Sequence, residues 1–304
     1  MGEQSMKKIA LDGEFGFTEE QMARLKAVGR VDQLDIVSSD SDWLEKVAGY
    51  DVVCTWGDFV MGNLDKLKNV LVTYPYTELG SFDSEALAKN EVYVANARGG
   101  NRKSIAEWAL FMVLSLYRQF PKFLRTTEQY PFTSTNSLEG KHVLIVGHGT
   151  IGTEIGERCE SFGMVVEYFD RGDDLLAKTS KADVVINALN CNQLSKNLLD
   201  ANYFANMKKG AYYVTFARPY TYDIDGLIKA IDDGVVEGAA IDCDPEPLFD
   251  VSNDFYKKCL SNEKILVTPH VAGVTKEASV NGLEIMVQNV ESYLAGTPQN
   301  ILKK

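Results

Sequence analysis

The sequence contains no long apolar run. Its longest, Trp108 to Leu114, is far shorter than a bilayer requires, so no membrane-spanning helix is expected. Positive charge is also in deficit, with 31 Lys and Arg against 43 Asp and Glu, a formal charge of -12 and a pI near 4.8. That balance argues against nucleic acid and against an anionic membrane surface as partners. The five cysteines, Cys54, Cys159, Cys191, Cys243 and Cys259, are scattered and form no C-x-x-C pair. Neither a disulfide framework nor a metal site is read from them; the pattern suits reduced, mostly buried thiols of a cytoplasmic protein. Histidine is scarce as well. With three in the chain, the search for a side chain that titrates near neutral pH narrows to His142, His148 and His270. No signal-peptide pattern is read at Met1 to Ser5, which are polar.

At 304 residues the chain exceeds the usual single core, and two domains are expected. Its 45% hydrophobic and 24% charged content is that of an ordinary globular protein. The most informative stretch runs from Lys141 to Asp170. It reads as a short apolar strand, Val143 to Val146, then G-x-G-x-x-G at Gly147, Gly149 and Gly152, a helical pattern, and a second strand closed by Asp170. Each glycine has a task in a dinucleotide site. The first permits a tight turn, the second lets a pyrophosphate approach the backbone, and the third lets the helix lie close on the sheet. The helix N-terminus then faces the phosphates, with Thr150 and Ile151 in its first turn. An acid about 20 residues further on is needed for a ribose 2′-hydroxyl, and Asp170 stands there. The expected cofactor is NAD, preferred over NADP because Asp170 would repel a 2′-phosphate, a repulsion that Arg171 could soften. A glycine-rich turn binding no dinucleotide, or a methyl-donor adenosyl site, is the competing reading.

Around this unit, short apolar runs alternate with helical patterns. Before it, strands are expected at 8–11, 33–37, 51–55, 69–73 and 91–95, and helices at 19–28, 42–48, 63–67 and 83–89, with Asp42 and Asp83 as N-caps. A flexible Arg98-Gly99-Gly100-Asn101 marks a hinge. The helical pattern 104–120, with Ser104 and Glu107 as a capping box, is apolar nearly all round and must be covered within its domain or by a second subunit. Strands follow at 182–188, 211–216, 236–241 and 265–268, helices at 202–207 and 222–232, and a last long helix at 276–294. The fold class is therefore α/β, with two Rossmann-like or flavodoxin-like parallel-sheet domains. Residues 1–98 and 274–304 would form the substrate domain, into which a nucleotide domain at 99–273 is inserted.

Three residues close the late strands: Arg218, Glu246 and His270. A bound nicotinamide needs a neighbour that exchanges a proton while the cofactor exchanges a hydride, and His270 is suited to it. A carboxylate such as Glu246 would fix the ring and favour the imidazolium. Arg218 offers a planar fork for a substrate carboxylate, with Ala217 beside it next to the cofactor. Together they suit reduction of a 2-keto acid. The plainer alternatives are a structural Arg218–Glu246 pair and a satisfied turn histidine at 270. His142 is read as a surface or strand-edge residue and His148 as spacing within the glycine turn.

The stretches G-H-G-T-I-G with its distant Asp, M-K-K-G-A-Y-Y-V-T-F-A-R, G-A-A-I-D-C-D-P-E-P-L and V-T-P-H-V-A-G resemble the D-isomer-specific 2-hydroxyacid dehydrogenase family. The resemblance is clear from Asn96 to Thr275 and looser before it. It implies an NAD-dependent oxidoreductase, usually a homodimer, in which Arg218 binds substrate, His270 is the acid/base and Glu246 its partner. It further implies that Asp242 contacts the nicotinamide amide and that the two domains close over the substrate. The substrate-binding loop would be Tyr76, Thr77 and Glu78. The chain departs from the family pattern at Pro219, where glycine is common, and at Glu78, in another glycine slot. The loop from Asp242 to Glu246 is one residue shorter than in many members, and Leu189-Asn190-Cys191-Asn192 lacks the usual proline. An NAD(H)-sensing, corepressor-like binding protein of the same fold is the alternative function.

Overall fold

The computed structural model describes residues 6–35, 39–57, 59–77, 82–124, 134–243 and 251–302. Along the chain run β1 (Lys8–Asp12), α1 (Glu19–Val28), β2 (Arg30–Gln33), α2 (Asp40–Val47), β3 (Val52–Thr55), β4 (Val70–Thr73), α3 (Ser84–Ala88) and β5 (Val92–Ala95). There follow α4 (Arg102–Tyr117), α5 (Phe120–Leu124), β6 (His142–Val146), α6 (Thr150–Ser161), β7 (Val165–Phe169), α7 (Leu175–Thr179), β8 (Val184–Asn187) and α8 (Ala201–Ala205). The chain ends with β9 (Ala211–Thr215), α9 (Ile224–Asp232), β10 (Val236–Asp242), α10 (Asp254–Leu260), β11 (Ile265–Thr268) and α11 (Lys276–Leu294). Two compact units result. One takes the chain up to Asn101 and from Thr275 onward, the other Arg102–Val274.

The first unit holds a five-stranded parallel sheet in the order β2-β1-β3-β4-β5. Alternate residues of each strand feed opposite faces, as the period of two requires. Ala10, Val53, Val72 and Val94 pack on Trp43 and Val47 of α2, while Ile9, Leu11, Cys54 and Leu71 pack on Leu25 of α1 and on Met286, Val287 and Val290 of α11. The last helix thus belongs to the first unit. Arg24 of α1 fastens it there, with ion pairs of 2.8 Å to Glu284 and 2.6 Å to Glu291.

The second unit holds a six-stranded parallel sheet in the order β11-β10-β9-β8-β6-β7. One face carries α8, α9 and α10 over Leu144, Val146, Val185, Tyr213 and Ile241; the other carries α4 and α6 over Val143, Ile145, Val184, Ile186 and Val214. Strands buried on both faces explain the continuous apolar runs. Most of α4 is covered within this unit, against Ile155 and Cys159 of α6 and against the sheet, which accounts for its nearly uniform apolarity. Phe111 is the exception at 53% exposed, edge-on to Phe120.

Some local expectations are corrected. Strand β2 lies at Arg30–Gln33, directly after α1, with the Arg30 amide on the Lys7 carbonyl; of the expected 33–37, Leu34 and Asp35 lie past it and 36–37 lie outside the described residues. Helix α2 is capped by Ser39, whose hydroxyl accepts from the Asp42 amide, so Asp42 lies inside the helix. Helix α4 already begins at Arg102, which places Ser104 within its first turn and not at a capping box. The capping box occurs on α1, between Thr18 and Gln21. Asp83 caps α3 as expected.

One buried side chain ties the first unit's ends together. Asn289 of α11, 1% exposed, donates to Thr73 Oγ1 and to the Asn96 carbonyl and accepts from Asn300 Nδ2 at 2.8 Å. Asn96 in turn donates to the Thr77 carbonyl at 2.7 Å, so the loop after β4 hangs on the same network. Replacing Asn289 by Leu strands these partners and should cost about 1–3 kcal/mol of stability, read as a lower denaturant midpoint with an unchanged slope. A midpoint equal to that of the unmodified protein would contradict it.

Candidate active site

All six strands of the second sheet point the same way, so their carboxyl ends form one edge, where open α/β sheets bind ligands. The crevice opens where chain order reverses, between β6 and β8. There Gly147 leaves β6 with φ +118°, the region that favours glycine. A Cβ on it would also lie 2.6 Å from the Ala188 carbonyl oxygen, just past β8. Gly152 is likewise forced, since its Cβ would collide with the Gly147 carbonyl oxygen. These two glycines serve the chain's own packing.

Gly149 is different. Its φ of -96° suits any residue, and a Cβ on it would meet nothing within 4 Å. The fold does not need glycine there; the bare backbone leaves room for something outside the chain. Gly149 is also the N-cap of α6, and no side chain caps that helix. By contrast, the side chains of Thr18, Ser39, Asp83, Asp174, Asp200, Asp223, Asn253 and Thr275 cap α1, α2, α3, α7, α8, α9, α10 and α11. The first-turn amides of α6, on Thr150, Ile151 and Gly152, therefore have the arrangement that receives a phosphate, with the helix dipole behind them. These residues fit the phosphates of a dinucleotide.

Asp170 follows β7 at the neighbouring strand end. Its carboxylate is 64% exposed and lies 3.3 Å from His148 Nδ1, while its amide donates to Asp173 at 2.9 Å. His148 stacks on Tyr168 with ring centroids 3.8 Å apart and 13° between planes. It is thus more than spacing: it joins the glycine turn to the acid that would meet a ribose. The signal available in the sequence was an aromatic residue two positions before the terminal acid. Arg171 is exposed beside it. His142 lies at the opposite, amino end of β6, with its amide on Asp183.

The second group sits on β9, β10 and β11, three adjacent strands. After β9 the amide of the buried Ala217 donates to Thr215 Oγ1, and half-buried Arg218 follows. The Arg218 carbonyl accepts from both the amide and the hydroxyl of Thr221, each at 3.0 Å. Beneath, buried Asn187 donates to Thr221 Oγ1 and to Tyr213 Oη and accepts from the Leu189 amide. Pro219 occupies the first position of a 3-10 turn, where the missing N–H has no partner to lose. The departure from glycine stiffens the loop without removing a needed donor.

Asp242 ends β10, buried at 4% exposed. One carboxylate oxygen accepts from the Thr268 hydroxyl and, at 2.9 Å, from the Val271 amide; the other accepts from the Ala272 amide at 2.8 Å. The donors surround His270, which holds φ +59°, a conformation uncommon for a residue with a Cβ. Asp242 therefore fixes the turn that presents the imidazole, a positioning role that the sequence did not reveal. Glu246 lies outside the described residues, as does Glu78. In the first unit, Tyr76 is exposed and Thr77 is held by Asn96. Among the described residues no cluster of side chains suits a metal ion, and no helix is long and apolar enough to cross a membrane.

Residues 110–272 match the family model described as D-isomer specific 2-hydroxyacid dehydrogenase, NAD binding domain. A D-lactate dehydrogenase of Staphylococcus epidermidis is 28% identical, over 92% of this chain and 94% of that protein. A D-3-phosphoglycerate dehydrogenase of Haemophilus influenzae is 31% identical over 67% of this chain, a match that spans about half, 53%, of that protein's length. Among solved structures, the apo form of Rhodotorula graminis D-mandelate dehydrogenase has a TM-score of 0.82, at 20% identity over 98% of each chain, and shows a shared fold.

The contrast between the glycines is testable. Gly149→Ala should fold with a loss of about 1 kcal/mol or less, the ordinary cost of alanine at an N-cap, yet weaken NADH binding about tenfold or more, a step of 1.4 kcal/mol. Gly152→Ala should instead destabilise the fold by about 1–3 kcal/mol through backbone collision. Fluorescence titration with NADH and thermal unfolding measure both; unaltered NADH affinity in Gly149→Ala would remove the phosphate cradle.

Proposed function

Because this chain belongs to the D-isomer specific 2-hydroxyacid dehydrogenase family, we propose that it interconverts a 2-keto acid and the D-2-hydroxy acid, with His270 as acid/base. One observation carries this: three neighbouring strand ends present a guanidinium, a buried carboxylate and an imidazole, and the carboxylate locks the imidazole's turn in a left-handed conformation. Other residues of the chain also hold a positive φ; what sets His270 apart is the buried carboxylate that holds its turn, and strained residues concentrate at sites of chemistry.

The cofactor is NAD, which when bound supplies the hydride in reduction and accepts it in oxidation. Gly149 and the first-turn amides of α6 hold its phosphates, in the turn that Gly147 and Gly152 shape, and Asp170 accepts from the adenosine ribose. Reduction places growing negative charge on the substrate's carbonyl oxygen. His270 donates a proton there, and in oxidation takes it back from the hydroxyl. Arg218 pairs with the substrate carboxylate through two parallel N–H bonds and lays its positive charge beside the polarised carbonyl. Asp242 keeps the His270 turn from relaxing, and Glu246 is assigned as the carboxylate partner of the ring. The loop of Tyr76, Thr77 and Glu78 is assigned to substrate, and the assembly to a homodimer.

These roles separate in kinetics. His270→Ala should lower kcat by about 10²–10⁴-fold, the contribution of general acid catalysis, with NADH affinity little changed. Arg218→Lys retains the charge but not the planar fork, so KM for the keto acid should rise together with a fall in kcat. The assay is NADH oxidation with a panel of 2-keto acids, and near-normal turnover in His270→Ala would defeat the acid/base assignment.

A further inference from the structure

The carboxylate of Asp170 stands 64% exposed past the end of β7, and a side chain so placed turns freely unless something holds it. His148 does. Its Nδ1 lies 3.3 Å from Asp170 Oδ2, and because an ionised carboxylate only accepts, the ring nitrogen facing it is the one that carries the proton. Among the described residues, His148 is the one side chain bonded to that carboxylate.

The backbone beneath is fixed by other means. The Asp170 amide donates to the Asp173 carboxylate at 2.9 Å, and the Asp173 amide donates back to the Asp170 carbonyl at 3.1 Å. Lys178 ties this segment to the strand: its ammonium donates to the Tyr168 carbonyl at 2.8 Å and pairs with Asp173 at 2.9 Å and Glu167 at 3.2 Å. With Lys178 engaged there and Arg171 exposed to solvent, the direction of the Asp170 carboxylate is left to His148. The imidazole is itself carried. It stacks on Tyr168 with centroids 3.8 Å apart and planes 13° apart, joining the turn after β6 to the strand paired with β6. The phenol in turn rests against α6 at Gly156, where a Cβ would collide with Tyr168 Oη. Glycine inside a helix is unfavourable, and here it makes room for the ring. A chain of contacts thus runs from α6 through Tyr168 and His148 to the carboxylate, wholly within the second unit.

Such a chain bears on which ribose is accepted. A carboxylate that is to accept from a 2′-hydroxyl must point at it, and one that is to repel a 2′-phosphate must not swing aside. A freely turning carboxylate does neither well, since it must be ordered on binding and can yield to the phosphate. We propose that His148, seated on Tyr168, is a positioning residue that holds the Asp170 carboxylate for the adenosine ribose and so sets a preference for NADH over NADPH. This rests on the reading above that Asp170 meets that ribose.

Direct binding tests it, by fluorescence titration with NADH and with NADPH, in the unmodified protein, His148→Phe, Asp170→Ala and the double variant. Phenylalanine keeps a ring to stack on Tyr168 and removes the donor. It should lower the ratio of the two affinities by about three- to tenfold, the weight of one partly exposed hydrogen bond, chiefly by weakening NADH. In the Asp170→Ala background the same replacement should leave the ratio unchanged, since no carboxylate remains to be held. His148→Ala, at an exposed position of the turn, keeps the test if the phenyl ring is not tolerated. A ratio unmoved by both replacements of His148, while Asp170→Ala lowers it, overturns the role of His148 and leaves that of Asp170 standing. Loss of both affinities by one common factor overturns it too, being the mark of a disturbed turn. An unmodified protein that binds the two cofactors equally, or an Asp170→Ala variant with the unmodified ratio, overturns the reading of Asp170 and the proposal with it.

Discussion

A carboxylate buried as deeply as that of Asp242 is tolerated only when its oxygens are hydrogen-bonded, and every donor seen on it comes from β11 or the turn after it. The dependence runs both ways. The turn satisfies the carboxylate, and the carboxylate overdetermines a turn in which His270 keeps a positive φ. Asp242 ends β10 while Thr268 ends β11, and the Cys243 amide bonded to the Thr268 carbonyl continues the ladder beyond the strands. The imidazole is thus referred to the sheet, the most rigid part of the unit, through bonds that a relaxed loop could not keep. The same logic holds at β9, where the Arg218 carbonyl is anchored by Thr221, and Thr221 by buried Asn187.

Strand positions were legible because the strands are buried on both faces and read as apolar runs such as Val143 to Val146 or Val236 to Ile241. The glycine turn was legible because its demands are geometric. Three short helices, α5, α7 and α10, were not read from the sequence, although α3 and α8, of five residues each, were, so brevity alone does not account for the difference. Long-range pairings were also invisible. Nothing in the local pattern joins His148 to Asp170, or Phe15 to Trp56 and Tyr76, since those contacts exist only once parallel strands lie side by side. Asp242 lay within a quoted motif, yet its bonds to the Val271 and Ala272 amides could be known only from the turn's shape.

The glycines show why one kind of inference travels further than the other. At Gly147 and Gly152 the chain forbids a side chain for its own reasons, so glycine there reports the fold. At Gly149 the chain would accept one, so glycine there is not required by the fold. Only the structure separates these cases, since the spacing alone treats the three alike. The unassisted N-cap of α6 then carries independent weight, because side-chain caps are used on so many of the other helices.

Cofactor and substrate are consequently recognised by different means. The cofactor half depends on backbone, on amides and bare glycines whose placement follows from a strand, a turn and a helix, and this is the part covered by the family match at residues 110–272. Side chains on the first unit's loops depend on no such geometry. Trp56 and Tyr76 lie past the ends of β3 and β4, which close at Thr55 and Thr73. The family match and the likeness to a D-lactate dehydrogenase therefore bear on the class of reaction far more than on the acid.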